Sequence, residues 1–376
     1  MQTISSTQTK FWLRVAFKGF TLFVIANLVF PFSNIDYGKF SLYNLIFMGR
    51  LRLPYSEQPS ESYNVTITNL DAMFASHILS GKPKFSTEYR VLLIGDSATW
   101  GYLLLPDQTL AAYLNEMQLH TPDGKQVVFY NLGYPVMSLL KDVLLLKRGL
   151  EYQPDLVLWL VTLESFPMQK QFASPLLEQN QSEVMRMLND LELNKAMPTP
   201  PLVQQPLWKR SLIGQRKALA DWFRYQLYGF LWTATHIDHA IPDEIPEKQV
   251  DLSADTEFYS QSPPNFDPHF LAFAVLEAAF HLATPTPIIL INEPMFISNG
   301  LNSQIRYNFY YPRWAYDEYR NLLANFCLER SLTCWDIWNL IPPDEFTNTA
   351  IHMTPQGTAQ TAQWIATALD KWMQKR

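Results

Sequence analysis

Arg90-Val-Leu-Leu-Ile-Gly-Asp-Ser-Ala-Thr-Trp-Gly101 is a short apolar run that ends in a turn holding a serine. Val91 to Ile94 are apolar and partly β-branched, and the run is short enough for a strand buried on both faces. Gly95 and Gly101 bracket a turn where backbone angles closed to other residues are open. From Leu110 to Gln118, the spacing of Leu110, Tyr113, Leu114 and Met117 predicts a helix with one apolar face. Ser97 therefore stands where a strand hands over to a helix. Its hydroxyl is free to be exposed there, and its own N–H to face an oxyanion. Gly-Asp-Ser alone is a weak signal, expected by chance in roughly one chain in ten of this length. An Asp/Ser helix cap also explains it, so the context has to decide.

Beyond that stretch, strands and helices alternate. Gln126 to Asn131 reads as a second strand and leads into Leu132-Gly133. Ser138 caps a helix running to Tyr152, with Leu139, Val143, Leu146 and Leu150 on one face. Leu156 to Val161 is a third strand, Pro287 to Ile291 a fourth and Leu332 to Ile337 a fifth. Helices are expected over Phe270 to Ala283, Tyr316 to Arg330 and Thr354 to Lys371. Such alternation implies a parallel sheet with helices on both faces. Ligands then bind beyond the carboxyl ends of the strands. Ser97, Gly133, Glu164 and the loop after Asn292 fall there. So does Phe346-Thr-Asn-Thr-Ala-Ile-His-Met-Thr-Pro-Gln-Gly357, where His352 precedes the helix start Thr354-Pro355. Taken alone, His352 reads as a surface residue flanking a helix.

Gly95-Asp-Ser-Ala-Thr-Trp-Gly101 resembles the first sequence block of the GDSL/SGNH hydrolase superfamily. Asn131-Leu-Gly133 is similar to the second block, and Pro154-Asp-Leu-Val-Leu to the lead-in of the third. His352, with the Thr354 to Gly357 that follows it, stands where the superfamily carries its catalytic His. The likeness covers roughly residues 88–165 and 268–372. It implies a three-layer α/β/α fold around a five-stranded, parallel, flavodoxin-like sheet. It further implies Ser97 as nucleophile, His352 as general base, and the N–H groups of Ser97 and Gly133 as oxyanion donors. Asp96 is expected to brace the turn. No cofactor is implied, and no His/Asp/Glu cluster has metal-ligand spacing.

Two blocks depart from the pattern. The third normally ends Gly-x-Asn-Asp, and here it reads Thr162, Leu163, Glu164 and Ser165. An ionised Glu164 only accepts hydrogen bonds, and losing one oxyanion donor costs roughly 10²–10³ in rate. Alternatively Glu164 turns away and caps local structure. The last block normally has Asp three residues before the His. Thr349 is there instead, with Asn348 one earlier and Asp344 further off. Asn348 can orient the imidazole without neutralising it, leaving a Ser97–His352 dyad assisted by Asp344 or Glu164 if either swings over.

Phe11 to Phe32 is the most apolar run, and Gly19 to Phe32 has no charge. With Arg14 and Lys18 snorkelling, it reaches the about 20 residues a bilayer needs. Lys10, Arg14 and Lys18 precede the run and Asp36 follows it, which puts the amino terminus in the cytoplasm and the rest outside. No small-x-small cleavage site follows, so an uncleaved single-pass anchor in the plasma membrane is expected, with a buried core helix as the other reading. The chain thus divides into 1–33 (tip and anchor), 34–87 (an irregular membrane-proximal segment) and 88–376 (the SGNH-like domain). Within 34–87, Tyr37 to Tyr55 is aromatic and basic and either lies near headgroups or packs on the domain. Asn69 to Ser80 reads as one helix.

Residues 166–267 form an insertion. Leu176 to Asn194 and the aromatic Lys217 to His236 read as helices, with Met197 to Leu207 a Pro-rich loop between them. The aromatic helix suits a lid, a membrane-surface helix, a docking face or an ordinary packed subdomain. Cys327 and Cys334 fit no metal motif. They either form a disulfide in an oxidising compartment or stay buried thiols. A net charge of −6 argues against nucleic acid as a partner.

Two functions are expected. One is an anchored extracytoplasmic serine esterase or O-acyltransferase acting on an ester of a glycan or small molecule. Single-anchor proteins of this resemblance work beside a membrane-bound acyltransferase, so such a partner is implied. The other is a catalytically impaired member of the fold that binds a glycan or a membrane partner.

Overall fold

The computed structural model describes residues 6–33, 37–56, 66–67, 69–197, 206–236, 241 and 244–375. Helix α1 (Ser6–Val29) continues into a one-turn 3-10 helix, Phe30–Phe32. The 25 residues Gln8–Phe32 are long and apolar enough to cross a membrane. Three short helices follow: α2 (Leu42–Ile46), in chain read as irregular, and α3 (Leu70–Ser76) and α4 (Ile78–Gly81). The single helix expected over Asn69 to Ser80 breaks at His77. That residue is extended, and its ring takes the Leu79 N–H that would otherwise serve a continuous helix. Asp36 and most of the Pro-rich loop, 198–205, lie outside the described residues.

The core alternates as the sequence predicts. β1 (Glu88–Ile94) leads into α5 (Ser97–Trp100) and α6 (Leu110–Glu116), and β2 (Gln126–Asn131) into α7 (Leu139–Leu150). After β3 (Leu156–Val161), the insertion contributes α8 (Pro175–Gln179), α9 (Gln181–Asp190), α10 (Leu207–Arg210) and α11 (Arg216–Thr235). Asn180, at φ −110° and ψ 35°, separates α8 from α9 where one helix is expected. The chain closes with α12 (Phe273–Ala283), β4 (Ile288–Asn292), α13 (Arg313–Glu329), β5 (Thr333–Asp336) and α14 (Pro355–Met373). Helix α12 starts three residues later than the pattern suggests, because the Phe270 carbonyl pairs with Met168 of the insertion instead.

The five strands are parallel, in the order β2-β1-β3-β4-β5. Alternate side chains divide the core. Val91 and Leu93 pack with α6 and α14, whereas Leu92 and Ile94 pack with α7 and α12. This makes three layers, α/β/α. Strand order reverses between β1 and β3, so the loops after those strands part at the carboxyl edge. A disulfide joins Cys327 at the end of α13 to Cys334 in β5.

Candidate active site

Ser97 opens α5 directly beyond β1. Asp96 caps the helix, its Oδ1 accepting the Ala98 N–H at 2.8 Å. Gly101 ends it at φ 88°, in the left-handed region open to glycine. As the first residue of the helix, Ser97 keeps an N–H with no preceding turn to receive it. Asp96 thus caps the helix that Ser97 opens.

His352 reaches the same place from the loop ahead of α14. Its Nε2 lies 2.8 Å from Ser97 Oγ, and its Nδ1 lies 2.8 Å from Asn348 Oδ1. An acceptor at Nδ1 keeps the proton there, which leaves the Nε2 lone pair to receive the serine hydroxyl. Thr349, at the position of the superfamily's Asp, is not beside the ring. Its Oγ1 accepts the backbone N–H of His352 at 3.2 Å and so shapes the loop. Asp344 is exposed in a separate turn, Pro343–Glu345, and is not among the groups bonded to the ring. Tyr102 stacks on the imidazole with centroids 4.7 Å apart. Burial pushes His352 down to about 4, because a charged ring loses its water there.

Gly133 lies at the end of β2, pressed against α5. A Cβ there would sit 2.5 Å from the Trp100 nitrogen, so only glycine fits. Its N–H donates to Asn131 Oδ1 at 3.0 Å. Asn131 in turn donates to the carbonyls of Thr99 and Trp100, at 3.0 and 3.3 Å. Asn131 and Gly133 therefore hold α5 against the end of β2.

Glu164 is buried after β3 and turns towards the insertion. Its Oε1 meets Lys170 Nζ at 2.5 Å and accepts the Tyr259 hydroxyl. The Glu164 carboxylate is thus paired. Glu164 does not approach the His352 ring nitrogens, which bond to Ser97 and Asn348.

Beneath Ser97 lie groups that the sequence reading does not single out. Glu293, the first residue beyond β4, is buried and hydrogen-bonded to Asp96. Neither Asp96 Oδ2 nor Glu293 Oε1 has an N–H or hydroxyl partner among the described residues, an arrangement that a proton shared between the two carboxyls satisfies. Burial and then the Asp96 charge push Glu293 well above the usual carboxylate range, which makes it the proton's holder. Buried Lys141 donates to the carbonyls of Gly95 (2.8 Å) and Tyr134 (2.5 Å) and pairs with Asp142 at 2.6 Å. Charged residues beside all-apolar strands and helix faces are the sequence signal for both, since such positions need partners when buried.

No protein-family profile matches the chain, and no curated protein sequence does. Solved structures do. A carbohydrate acetylesterase family member from Sinorhizobium meliloti is 11% identical, with a TM-score of 0.32, over 76% of this chain and 98% of its own. An acetylxylan esterase from Geobacillus stearothermophilus, solved as a catalytic mutant, is 13% identical, with a TM-score of 0.33, over 75% of this chain and 93% of its own. The aryl esterase of M. smegmatis is 11% identical, with a TM-score of 0.33, over 75% of this chain and 98% of its own. Independently of these, the strand order, the serine turn after β1 and the histidine loop before α14 stand where the SGNH resemblance puts them.

Proposed function

We propose that this chain is a membrane-anchored serine esterase or O-acyltransferase of the SGNH type, working through Ser97, His352 and Asn348. The observation that carries the reading is the relay of two 2.8 Å contacts, from Ser97 Oγ to His352 Nε2 and from Nδ1 to Asn348 Oδ1. His352 Nε2 takes the Ser97 proton as Oγ attacks the ester carbonyl carbon. The tetrahedral intermediate then expels the alcohol, which leaves with the proton from Nε2. Water or a sugar hydroxyl gives its proton to Nε2 and attacks the acyl-serine, and the acid or new ester departs as Ser97 regains its proton. The Ser97 N–H faces the oxyanion. The Gly133 N–H, expected as a second donor, is instead taken up by Asn131 Oδ1 at 3.0 Å. Lys170 offsets the Glu164 charge, which would otherwise oppose the oxyanion.

The proposed location is supported by α1. Lys10, Arg14 and Lys18 favour a cytoplasmic amino terminus, and the Cys327–Cys334 disulfide suits an oxidising compartment outside the plasma membrane. Transfer to a glycan, with a membrane-bound acyltransferase as donor partner, is the finer reading this topology supports. Glu164 and the engaged Gly133 N–H favour the alternative, a binding protein with an idle site.

The full-length protein in detergent is treated with a fluorophosphonate and the adduct located by peptide mass. Labelling at Ser97 is expected, absent in Ser97→Ala and slower by about 10²-fold or more in His352→Ala. A folded protein that takes no label between about pH 5 and 9, where His352 is neutral, overturns the esterase and leaves the binding role.

A further inference from the structure

Helix α11 is apolar on both sides. Tyr225, Gly229 and Trp232 are buried, with Tyr225 and Trp232 packed on Tyr43 of α2. On the opposite side Phe223, Leu227 and Leu231, spaced four residues apart, are 64%, 60% and 56% exposed. Beside them, Leu45, Ile46 and Met48 are 72%, 65% and 63% exposed. A patch of this kind on a protein surface marks a binding face.

The patch continues from the foot of α1. The Ile213 N–H donates to Asn27 Oδ1 at 2.9 Å, and the Arg210 guanidinium donates to the Pro31 carbonyl at 2.9 Å. The rings of Phe30, Tyr37, Trp222 and Phe40 form a chain between the two, with successive centroids 6.4, 5.7 and 6.4 Å apart. Tyr and Trp at the end of an apolar span suit the level of lipid headgroups.

Charge selects the occupant. Residues 206–236 carry Lys209, Arg210, Arg216, Lys217 and Arg224, all exposed, against the single carboxylate Asp221. Residues 37–56 add the exposed Lys39 and no acidic residue, while Arg50 and Arg52 are buried against Trp232 and Trp100, in a chain whose net charge is −6. We propose that this face lies on the bilayer, with α11 and the α2 segment seated at the boundary between acyl chains and anionic headgroups. The inference rests on the reading of α1 as a membrane anchor. Cations around an exposed apolar stripe fit anionic lipid, which supplies both the charge and the apolar depth.

The face is tied to the catalytic turn. Arg52 Nη1 donates to the carbonyls of Gly101 (2.9 Å) and Leu104 (3.1 Å), and Trp100 Nε1 donates to the Leu53 carbonyl at 2.7 Å. The lipid-facing segment thereby clamps the helix that carries Ser97 and the loop that carries Tyr102. The site is held at a fixed height above the membrane, within reach of esters presented there.

The test uses the full-length chain in nanodiscs of phosphatidylcholine with and without phosphatidylglycerol. A nitroxide is placed on single cysteines replacing Leu45, Phe223 or Leu231. Phe20 serves as the span control, and Leu301 and Leu328, 65% and 79% exposed, as water controls. Collision with oxygen and with a water-soluble nickel complex is read at each site. The proposal expects the three face positions to gain oxygen and exclude nickel several-fold relative to Leu301, more strongly with phosphatidylglycerol. Nickel access equal to that of Leu301 overturns it. So does exclusion of both reagents, which means that a protein covers the face. Phe20 reports on the anchor separately: nickel access there removes the anchor, while the face positions still decide the platform.

Discussion

His352 is pushed down to about 4 by burial, and Asn348 holds its Nδ1 proton without adding a charge. A base must be neutral to act, so the ring is competent at every pH well above about 4. Fluorophosphonate labelling should therefore be level from about pH 8 to 5 and fall only towards pH 4, unlike a histidine with an ordinary value near 6.5. The cost is an imidazolium with no counter-charge at the moment of attack. Asn348→Asp supplies one. The carboxylate favours the charged ring and should raise its pKa by about 1–3 units, moving the acid limb up to about pH 5–7. It should also speed labelling near neutrality, on the order of 10–10²-fold. An unmoved limb in Asn348→Asp means that residue 348 does not face the ring in solution. Ser97 and His352 are legible through the family resemblance, one just beyond a strand and one ahead of a capped helix, whereas Asn348 is one of three candidates beside Asp344 and Glu164. Glu164 is legible only as a departure. Its partner Tyr259 is 95 residues away, and nothing local in either segment announces the contact.

Elements are legible where periodicity is long and uninterrupted. Four strands fall within a residue of the positions their apolar runs suggest, and β1 starts three residues ahead of Val91; β3 and β4, buried throughout, leave few other readings. The breaks at His77 and Asn180 escape, because a polar residue inside an apolar pattern scores as a helix while its geometry ends one. The fit of α11 on α2 escapes for another reason. It depends on Gly229, where a Cβ would stand 2.4 Å from Tyr43 Cγ. Both faces of α11 are apolar, so pattern alone does not say which one packs. Gly229→Ala is expected to lift α11 and cost about 1–3 kcal/mol by overpacking. Limited proteolysis should then cut first within residues 206–236, with Ser97 labelling retained because no residue of α11 bonds to the Ser97 relay. Unchanged proteolysis in Gly229→Ala means that α11 does not rest on Tyr43.

Across the whole molecule, buried bases and buried acids oppose one another in the response to pH. His77 and His352 are both pushed down to about 4 by burial. Each stays neutral in the folded chain while the unfolded chain takes up a proton near 6.5. Stability is therefore full above that value and is lost as the pH falls to about 4, by about 1.4 kcal/mol per unit for each ring. Asp142, pushed up to about 6, and Glu293, pushed well above its usual range, act in the other direction. The folded chain keeps protons there that the unfolded chain has released, so these two are least costly at low pH. The net curve is flatter than either set alone, and a raw pH profile hides both. A difference isolates one group. His352→Gln removes a titrating ring and keeps a polar side chain, so wild type minus variant reports that ring alone. In urea unfolding of the full-length protein in detergent, wild type should lose about 2 kcal/mol relative to His352→Gln between pH 7.5 and 5. Parallel curves would mean that His352 takes its proton as readily when folded as when unfolded. The flat labelling profile expected of Ser97 would then fail with it, since one buried neutral imidazole underlies both.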